Sequence, residues 1–249
     1  MQNNKSPNDY KQFAHPFSRE YWRCAAGEFK KTNVIAFAAI IIALRVVMKL
    51  VYIPVTETVN IYFGYLFNAL GSMIYGPLVA LGVGAITDTL GYLVAPNGAY
   101  FFPYIFVEML GSFIFAIFLY RAKLSEIRVI LSKFSVSLFC NVVLNSVITA
   151  IYYALYLGKN YKIFNVIRIA KNLVFFPVES LLIILFLSAM TPALCSIGLL
   201  PRTQRKLSLN KKNITFLAVL FVVAVIAAIA WMELYGIINL TGKFCPTGW

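Results

Sequence analysis

Several charged side chains lie inside or beside long apolar runs of this 249-residue sequence. Arg45 and Lys49 stand four residues apart near the end of the first run, and Arg168 and Lys171 stand three apart before a later one. Residues at these spacings share a helix face. An ionised group deep in a membrane costs on the order of 3 kcal/mol, so we expect Arg45 to have a role. Paired cations of this kind can bind one anion or two.

Each cationic pair also has an alternative interpretation. Lys49 can extend its ammonium group to the membrane interface, as long basic side chains commonly do. Arg168 and Lys171 can bind lipid phosphates instead of a soluble anion. The sequence leaves these alternatives open.

Acidic side chains occur within the apolar runs as well. Asp88 follows Ala80 and Gly84 at four-residue spacing, on a face of small residues that allows close approach of another helix. We expect Asp88 either to hydrogen-bond a neighbouring helix or to contact a ligand. For Glu108 we expect either a salt bridge to Arg45 or Lys49, or a ligand contact.

A polar stripe lies in the fifth apolar run, where Asn141, Asn145 and Thr149 recur every four residues. Hydrogen bonds between helices explain such a stripe, and so does the lining of a hydrated pocket. With the aromatic residues from Tyr100 to Tyr104, these groups predict a pocket for a flat aromatic ligand with an anionic tail. Carboxylates would accept hydrogen bonds from the ring edge, and guanidinium groups would hold the tail.

Motifs for catalysis are absent from the sequence. The stretch "GIINLTGKF" has the wrong spacing for a P-loop and lacks its hydroxyl residue. His15 is the single histidine, which excludes most histidine-based catalysis, and the four cysteines form no C-x-x-C pair. We therefore predict a protein that is not an enzyme and has no metal or cofactor.

The elements that position these residues are predicted to be membrane helices. The sequence is 61% hydrophobic and 12% charged, whereas soluble domains are about a quarter charged. A membrane span needs roughly twenty apolar residues. We predict an all-α, polytopic membrane helix bundle with seven apolar runs, at residues 33–49, 62–75, 77–95, 102–120, 134–157, 173–199 and 214–240.

The distribution of Lys and Arg predicts the orientation. Three basic segments fall on one side if the N-terminus is cytoplasmic: residues 1–32, the loop after the fourth run with Lys133, and the linker 200–212. We attribute the net charge of +13 to this pattern rather than to nucleic-acid binding. The loops after the first and third runs are predicted to be external.

One segment violates the pattern. The stretch 158–180 falls outside the cell, and it holds Lys159 and Lys162 as well as Arg168 and Lys171. We interpret these external cations as groups that capture an acidic nutrient.

Five stretches carry a family resemblance: "AAIIIALRVVMKL", "SMIYGPLVALGVGAITDTLGYLVAPNGAYFFPYIF", "FAIFLYR", "NVVLNSVITAIYY" and "RIAKNLVFFPVESLLIILFL". They resemble the substrate-binding S components of energy-coupling factor (ECF) vitamin transporters, in particular the folate-binding branch. The similarity covers residues 33–199. It implies a six-helix core in the plasma membrane of a bacterium that binds a vitamin, folate or a related one, from outside for ATP-driven uptake.

The same resemblance implies protein partners. An S component works with a transmembrane coupling protein and two ATPase subunits, which agrees with the missing ATPase motif. In the family, small residues of the first helix contact the coupling protein, and the matching positions here are Ala36, Ala39 and Ala43.

The predicted organisation extends beyond the family core. It comprises a cytoplasmic N-terminal extension (1–32), the six-helix S-component domain (33–199), a basic cytoplasmic linker (200–212), and an additional transmembrane helix with an external tail (213–249). The predicted substrate-binding residues are Arg45, Lys49, Asp88, Tyr100, Glu108, Asn141, Asn145, Arg168 and Lys171. Two alternatives stay open: an S component for another vitamin, and a membrane scaffold protein whose polar stripes serve helix packing alone.

Overall fold

The computed structural model describes residues 12–13, 15–56, 59–96, 100–158, 166–201 and 211–234. Within these residues, five helices are long and apolar enough to cross a membrane. Their bounds are Thr32–Leu50, Gly64–Val94, Phe102–Leu119, Glu126–Leu157 and Arg168–Ser196. The predicted all-α membrane bundle is therefore confirmed.

The helices are numbered here in chain order. They are α1 (Arg19–Gly27), α2 (Thr32–Leu50), α3 (Gly64–Val94), α4 (Ile105–Leu119), α5 (Glu126–Ser135), α6 (Asn145–Leu157), α7 (Val166–Ser196) and α8 (Lys211–Leu234). A π-helical segment, Val136–Leu144, joins α5 to α6. Single 3-10 turns, Glu28–Lys30 and Phe102–Tyr104, precede α2 and α4.

A short β-hairpin follows α2, where the sequence predicted only a loop. Strand β1 (Tyr52–Thr56) pairs antiparallel with β2 (Val59–Tyr62), with Tyr52 opposite Tyr62. The register shifts between Pro54 and Thr56. The hairpin marks one end of the bundle, which we call the hairpin end.

Helix α3 contains the second and third predicted spans and reverses direction at Gly76. In a straight helix, Gly64 and Gly91 would lie about 40 Å apart. Yet a Cβ on Gly64 would lie 4.0 Å from the carbonyl oxygen of Arg45, and one on Gly91 would lie 2.5 Å from the side chain of Lys49. Arg45 and Lys49 are only about 6 Å apart along α2. The two arms of α3 therefore lie side by side, as predicted for two spans.

The reversal depends on the conformation of Gly76. Its φ of 74° and ψ of 176° lie in a region that is essentially restricted to glycine. Pro77 follows, at a position where its missing N–H does not break a helix. A Cβ on Gly76 would lie 3.0 Å from the ring of Tyr120, which follows α4. We call this end of the bundle the Gly76 end.

Two predicted span boundaries are wrong. The fifth helical run begins at Glu126 rather than 134, so Lys133 lies within α5 and not in a loop. Helix α7 begins at Val166 rather than 173, so Arg168 and Lys171 lie on the helix and not before it. In both cases the charged residues near the start of the helix resemble those of a loop in the sequence. In the structure they are paired or line a cavity, so the helix continues through them.

The core lies between the halves of α3 and the helices α2, α4 and α7. Met73, Tyr75, Phe115, Ile183 and Leu187 are each fully buried there. In lipid, the contacts between such side chains, rather than exclusion of water, hold helices together. At Gly84 a Cβ would lie 2.8 Å from the backbone of α4, so the predicted close approach at this small-residue face is confirmed.

The described residues of the N-terminal extension pack against the Gly76 end. The Ser18 hydroxyl caps α1 by accepting a hydrogen bond from the N–H of Glu20, and the backbone N–H of Phe13 donates to the carbonyl of Arg121 at 2.8 Å. Tyr21 is buried and donates to the carbonyl of Ala116. Burial raises the pKa of the Tyr21 hydroxyl, which keeps it protonated for this bond.

Buried Glu28 strengthens this attachment. Its carboxylate accepts from the Tyr120 hydroxyl at 2.7 Å, from Arg121 at 3.0 Å and from Lys31 at 2.9 Å. Helix α8 contacts α7. Residues 202–210 of the predicted linker, the end of the seventh predicted span beyond residue 234, and Lys159 and Lys162 lie outside the described residues.

Candidate functional site

A cavity of about 1220 Å³ lies between α2, α3, α4, the π-helical segment and α7. It reaches the hairpin end, where Tyr52, Tyr62 and Tyr100 are exposed. All nine side chains that the sequence predicted to bind substrate line it: Arg45, Lys49, Asp88, Tyr100, Glu108, Asn141, Asn145, Arg168 and Lys171. The fold thus brings together residues that are spread over more than 120 positions of the sequence.

Arg45 forms an ion pair across two helices. Its guanidinium lies 2.5 Å from the carboxylate of Glu108 on α4, and it also donates to the Ser112 hydroxyl at 3.3 Å. Arg45 is 4% exposed, whereas the Glu108 side chain is 35% exposed. The salt-bridge interpretation of Glu108 is therefore confirmed, and part of its carboxylate still faces the cavity.

Lys49 extends toward α3 over Gly91. Its ammonium group lies 3.7 Å from the Asp88 carboxylate, and the absence of a Cβ at Gly91 makes room for the lysine stem. Asp88 therefore contacts a neighbouring helix through an ion pair rather than through a neutral hydrogen bond. Lys49 bridges helices here instead of only reaching for the interface.

The polar stripe of the fifth span includes a π-helical segment. The N–H of Asn145 bonds to the carbonyl of Cys140, five residues back, which is the π-helical pattern. Asn141, within this segment, donates to Asn172 of α7 at 2.9 Å. Such segments are frequent at functional sites. The wider turn changes which residues face the cavity, and the four-residue spacing in the sequence did not reveal it.

Arg168 lies at the start of α7 and binds hydroxyl groups of α6. It donates to Ser146 and Thr149, each at 3.3 Å. Thr149 also contacts the Tyr104 hydroxyl at 3.2 Å. Among the described residues no carboxylate lies within ion-pair distance of Arg168. Its guanidinium charge is therefore compensated only by neutral oxygens there.

Aromatic rings cover the cavity near the hairpin end. Tyr92 and Tyr100 lie with ring centroids 4.9 Å apart, and Phe101 contacts Tyr104, Tyr152 and Tyr156 edge to face. Rings in this arrangement offer apolar faces to a flat ligand and hydroxyl groups at their edges.

A third ion pair at the cavity was not predicted from the sequence. Lys133 lies 2.7 Å from Glu179 of α7 and 4.6 Å from the ring centroid of Tyr65. The sequence predicts a cytoplasmic loop at Lys133, whereas the structure places it in α5. Lys133 precedes Val136 by three residues and Cys140 by seven, a spacing that places all three on one helix face. This spacing could have predicted that Lys133 belongs to the helix.

The alanines predicted to contact a partner lie on the opposite side of α2 from the core. Ala36, Ala39 and Ala43 are all exposed. They form a smooth stripe whose neighbours Ile40 and Val47 are exposed as well.

A helical bundle with several membrane-spanning helices and a large charged internal cavity defines a multi-pass membrane protein with a site for a small ligand. The family model described as "ECF-type riboflavin transporter, S component" matches residues 29–191. The chain therefore belongs to the S components of ECF-type transporters, and it is a transport protein rather than an enzyme.

Individual relatives point to one branch of this family. A folate transporter, FolT, of Clostridium novyi (strain NT) is 32% identical over 154 residues, which cover 62% of this chain and 87% of the relative. FolT of Leuconostoc mesenteroides is 27% identical over 59% of this chain and 80% of the relative. A crystal structure of FolT bound with folic acid matches with a TM-score of 0.53 and 27% identity, covering 60% of this chain and 88% of that one. The predicted resemblance to the folate-binding branch is confirmed.

Proposed function

We propose that this protein is the substrate-binding subunit of an ECF transporter and captures folate from outside the cell. The relatives are folate transporters, and the solved relative holds folic acid. The observation in this chain that carries the proposal is the charge of the cavity. Five basic and three acidic side chains line it among the described residues, so it has an excess of two positive charges.

This excess is concentrated near the start of α7. The three acidic side chains each lie against a cation, in the pairs Arg45–Glu108, Lys49–Asp88 and Lys133–Glu179. The other basic side chains of the cavity are Arg168 and Lys171, one turn apart at the N-terminal end of α7, where the helix dipole also favours anions. The glutamate tail of folate carries two carboxylates, so its charge matches this excess.

The flat rings of folate fit the rest of the cavity. Near the hairpin end, Tyr92, Tyr100 and Tyr104 supply aromatic faces for the aminobenzoyl ring that adjoins the glutamate tail, and Asn141 and Asn145 supply hydrogen bonds at the wall. In this arrangement Tyr100 lies at the entrance of the cavity, where its side chain is exposed.

The family model's description favours riboflavin as the alternative ligand. Riboflavin also has a flat ring, but it has no carboxylate. An uncharged tail would form no ion pair with the Arg168 guanidinium, which contacts only neutral oxygens of the described residues in a partly desolvated cavity. The charge of the cavity therefore favours folate.

We further infer the energy source and the orientation. Membership of the S-component family supports uptake that depends on two ATPase subunits and a transmembrane coupling protein, and the sequence has no ATPase motif of its own. The exposed stripe Ala36, Ala39 and Ala43 supports a helix contact with the coupling protein. The N-terminus and the Gly76 end then face the cytoplasm, and the hairpin end faces outside.

Equilibrium binding to the purified chain tests the ligand. Folic acid is expected to bind more tightly than riboflavin and more tightly than pteroic acid, which lacks the glutamate. Arg168→Ala is expected to weaken folic acid binding about tenfold to a hundredfold, since a charge-assisted bond contributes about 1.5–3 kcal/mol.

Lys123→Ala is the matched control, because Lys123 is an exposed cation that does not line the cavity. Pteroic acid binding should change much less than folic acid binding in Arg168→Ala. Equal affinity of the wild-type chain for folic acid and pteroic acid would contradict the assignment of the tail.

A further inference from the structure

The Lys133–Glu179 ion pair lies in a part of the cavity that is separate from the proposed tail site. Glu179 follows Arg168 by eleven residues on α7, which is about 16 Å along the helix toward the Gly76 end. Lys133 is 4% exposed and Glu179 is 18% exposed, and both line the cavity. The pair adds no net charge to the cavity, so it does not contribute to the positive excess that matches the glutamate tail.

A third group with unused hydrogen-bonding capacity lies beside this pair. The Tyr65 hydroxyl is buried and has no hydrogen-bond partner in the part of the chain that the structure describes. The Tyr65 ring lies 4.6 Å from the Lys133 ammonium group. A buried polar group without a partner is costly, and a ligand that supplies the partner removes the cost.

The pair itself can bind a ligand without being broken. A carboxylate has about four acceptor sites and an ammonium group has three donors, whereas the 2.7 Å contact uses one of each. Glu179 therefore still accepts hydrogen bonds, and Lys133 still donates them. Together, the two side chains offer a ligand the acceptor oxygens of Glu179 next to the N–H donors of Lys133.

We propose that Lys133 and Glu179, with Tyr65, form the subsite that recognises the edge of the ligand's ring. This inference rests on the proposed function. The pterin ring of folate carries an amino group and a ring N–H, both donors, next to a carbonyl oxygen, an acceptor. Glu179 accepts from the two donors and Lys133 donates to the carbonyl oxygen. Folate then lies along α7, with its ring at Glu179 and its tail at Arg168.

This subsite makes a specificity prediction for ring chemistry. In the 4-amino analogue of folic acid, an amino group replaces the carbonyl oxygen and the neighbouring ring nitrogen loses its hydrogen. The amino group then faces the Lys133 ammonium group, and the nitrogen lone pair faces the Glu179 carboxylate. Unpaired polar groups of this kind give strong rejection in buried sites. The wild-type chain is expected to bind folic acid at least about tenfold more tightly than the analogue.

Variants of the pair separate this subsite from the tail site. Lys133→Met is expected to lower the ratio of the two affinities, because the repulsion between the analogue's amino group and the Lys133 ammonium group is removed while the mismatch at Glu179 remains. Glu179→Gln is expected to weaken folic acid binding at least about tenfold, while p-aminobenzoylglutamate, which lacks the ring, binds within about twofold of its wild-type affinity. Lys123→Met controls for the loss of a cation elsewhere.

A double variant guards against misfolding. Removing one member of a buried pair can destabilise a protein, whereas replacing both by apolar residues is often neutral. Lys133→Met/Glu179→Met is therefore expected to stay monodisperse with an unfolding midpoint near that of the wild type, and to lose the discrimination between the two ligands. Folded variants that keep the wild-type ratio would overturn the subsite. A wild-type chain that does not bind folic acid would instead overturn the proposed function.

Discussion

At the residue scale, the cavity is built from acidic and basic side chains that meet across helices. The pairs join α2 to α4, α2 to α3, and α5 to α7. The sequence indicated the charged groups of the first two pairs, because charge inside apolar runs is conspicuous. It did not indicate the third, because Lys133 lies just before its apolar run and resembles a loop residue.

The Arg45–Glu108 pair gives a prediction for stability. Arg45→Met is expected to lower the free energy of unfolding by about 2 kcal/mol, since a partly buried carboxylate loses its cation. Thermal unfolding in mild detergent measures this. Arg45→Met/Glu108→Met is expected to recover most of the loss, because no unpaired charge remains. If the double variant were less stable than the single one, the pair would not be the cause.

At the element scale, helix α3 supplies two arms that lie side by side within one continuous element. The reversal at Gly76 places both arms against α2 and turns Asp88 toward Lys49. The two successive apolar runs at residues 62–75 and 77–95 predicted the two arms. The sequence did not predict the hairpin after α2, because its residues resemble those of a loop. It did not predict the π-helical segment either, because its apolar pattern resembles that of an α-helix.

Replacing Gly76 tests the reversal. Gly76→Ala forces a side chain into a backbone region that only glycine adopts readily, and places a Cβ 3.0 Å from the Tyr120 ring. We expect a loss of about 1–3 kcal/mol in unfolding free energy. The matched control is Gly82→Ala in the second arm of α3, where a Cβ meets no atom within 4 Å.

The control should be neutral or stabilising by up to about 1 kcal/mol, because alanine is the better helix former. Thermal unfolding of the two variants under identical conditions gives the comparison. Equal unfolding midpoints for Gly76→Ala and Gly82→Ala would contradict the role assigned to Gly76.

At the scale of the whole molecule, the chain has a family core with an addition at each end. The family model matches residues 29–191, and it includes neither α1 nor α8. Helix α1 is attached to the Gly76 end through Tyr21, and Glu28 just after it adds three hydrogen bonds. Helix α8 contacts α7, which carries the proposed tail site and part of the ring subsite.

A shortened chain tests whether α8 serves binding. A chain that ends at Pro201 is expected to bind folic acid within about twofold of the full chain, a difference of under about 0.5 kcal/mol. The expectation follows because all described cavity-lining residues lie before position 180. Isothermal titration of both chains in the same detergent measures the effect. A tenfold loss would show that α8 holds α7 in place.

The sequence by itself determined the class of protein, the all-α membrane bundle and most of the charged residues at the cavity. These follow from local composition, because apolar length sets the spans and an ion within a span needs a partner. Only the tertiary structure decided which charges pair, that Lys133 and Glu179 meet, and that the N-terminal segment folds onto the Gly76 end. Such contacts depend on the rotation and height of each helix relative to its neighbours, and side-chain packing between helices sets both.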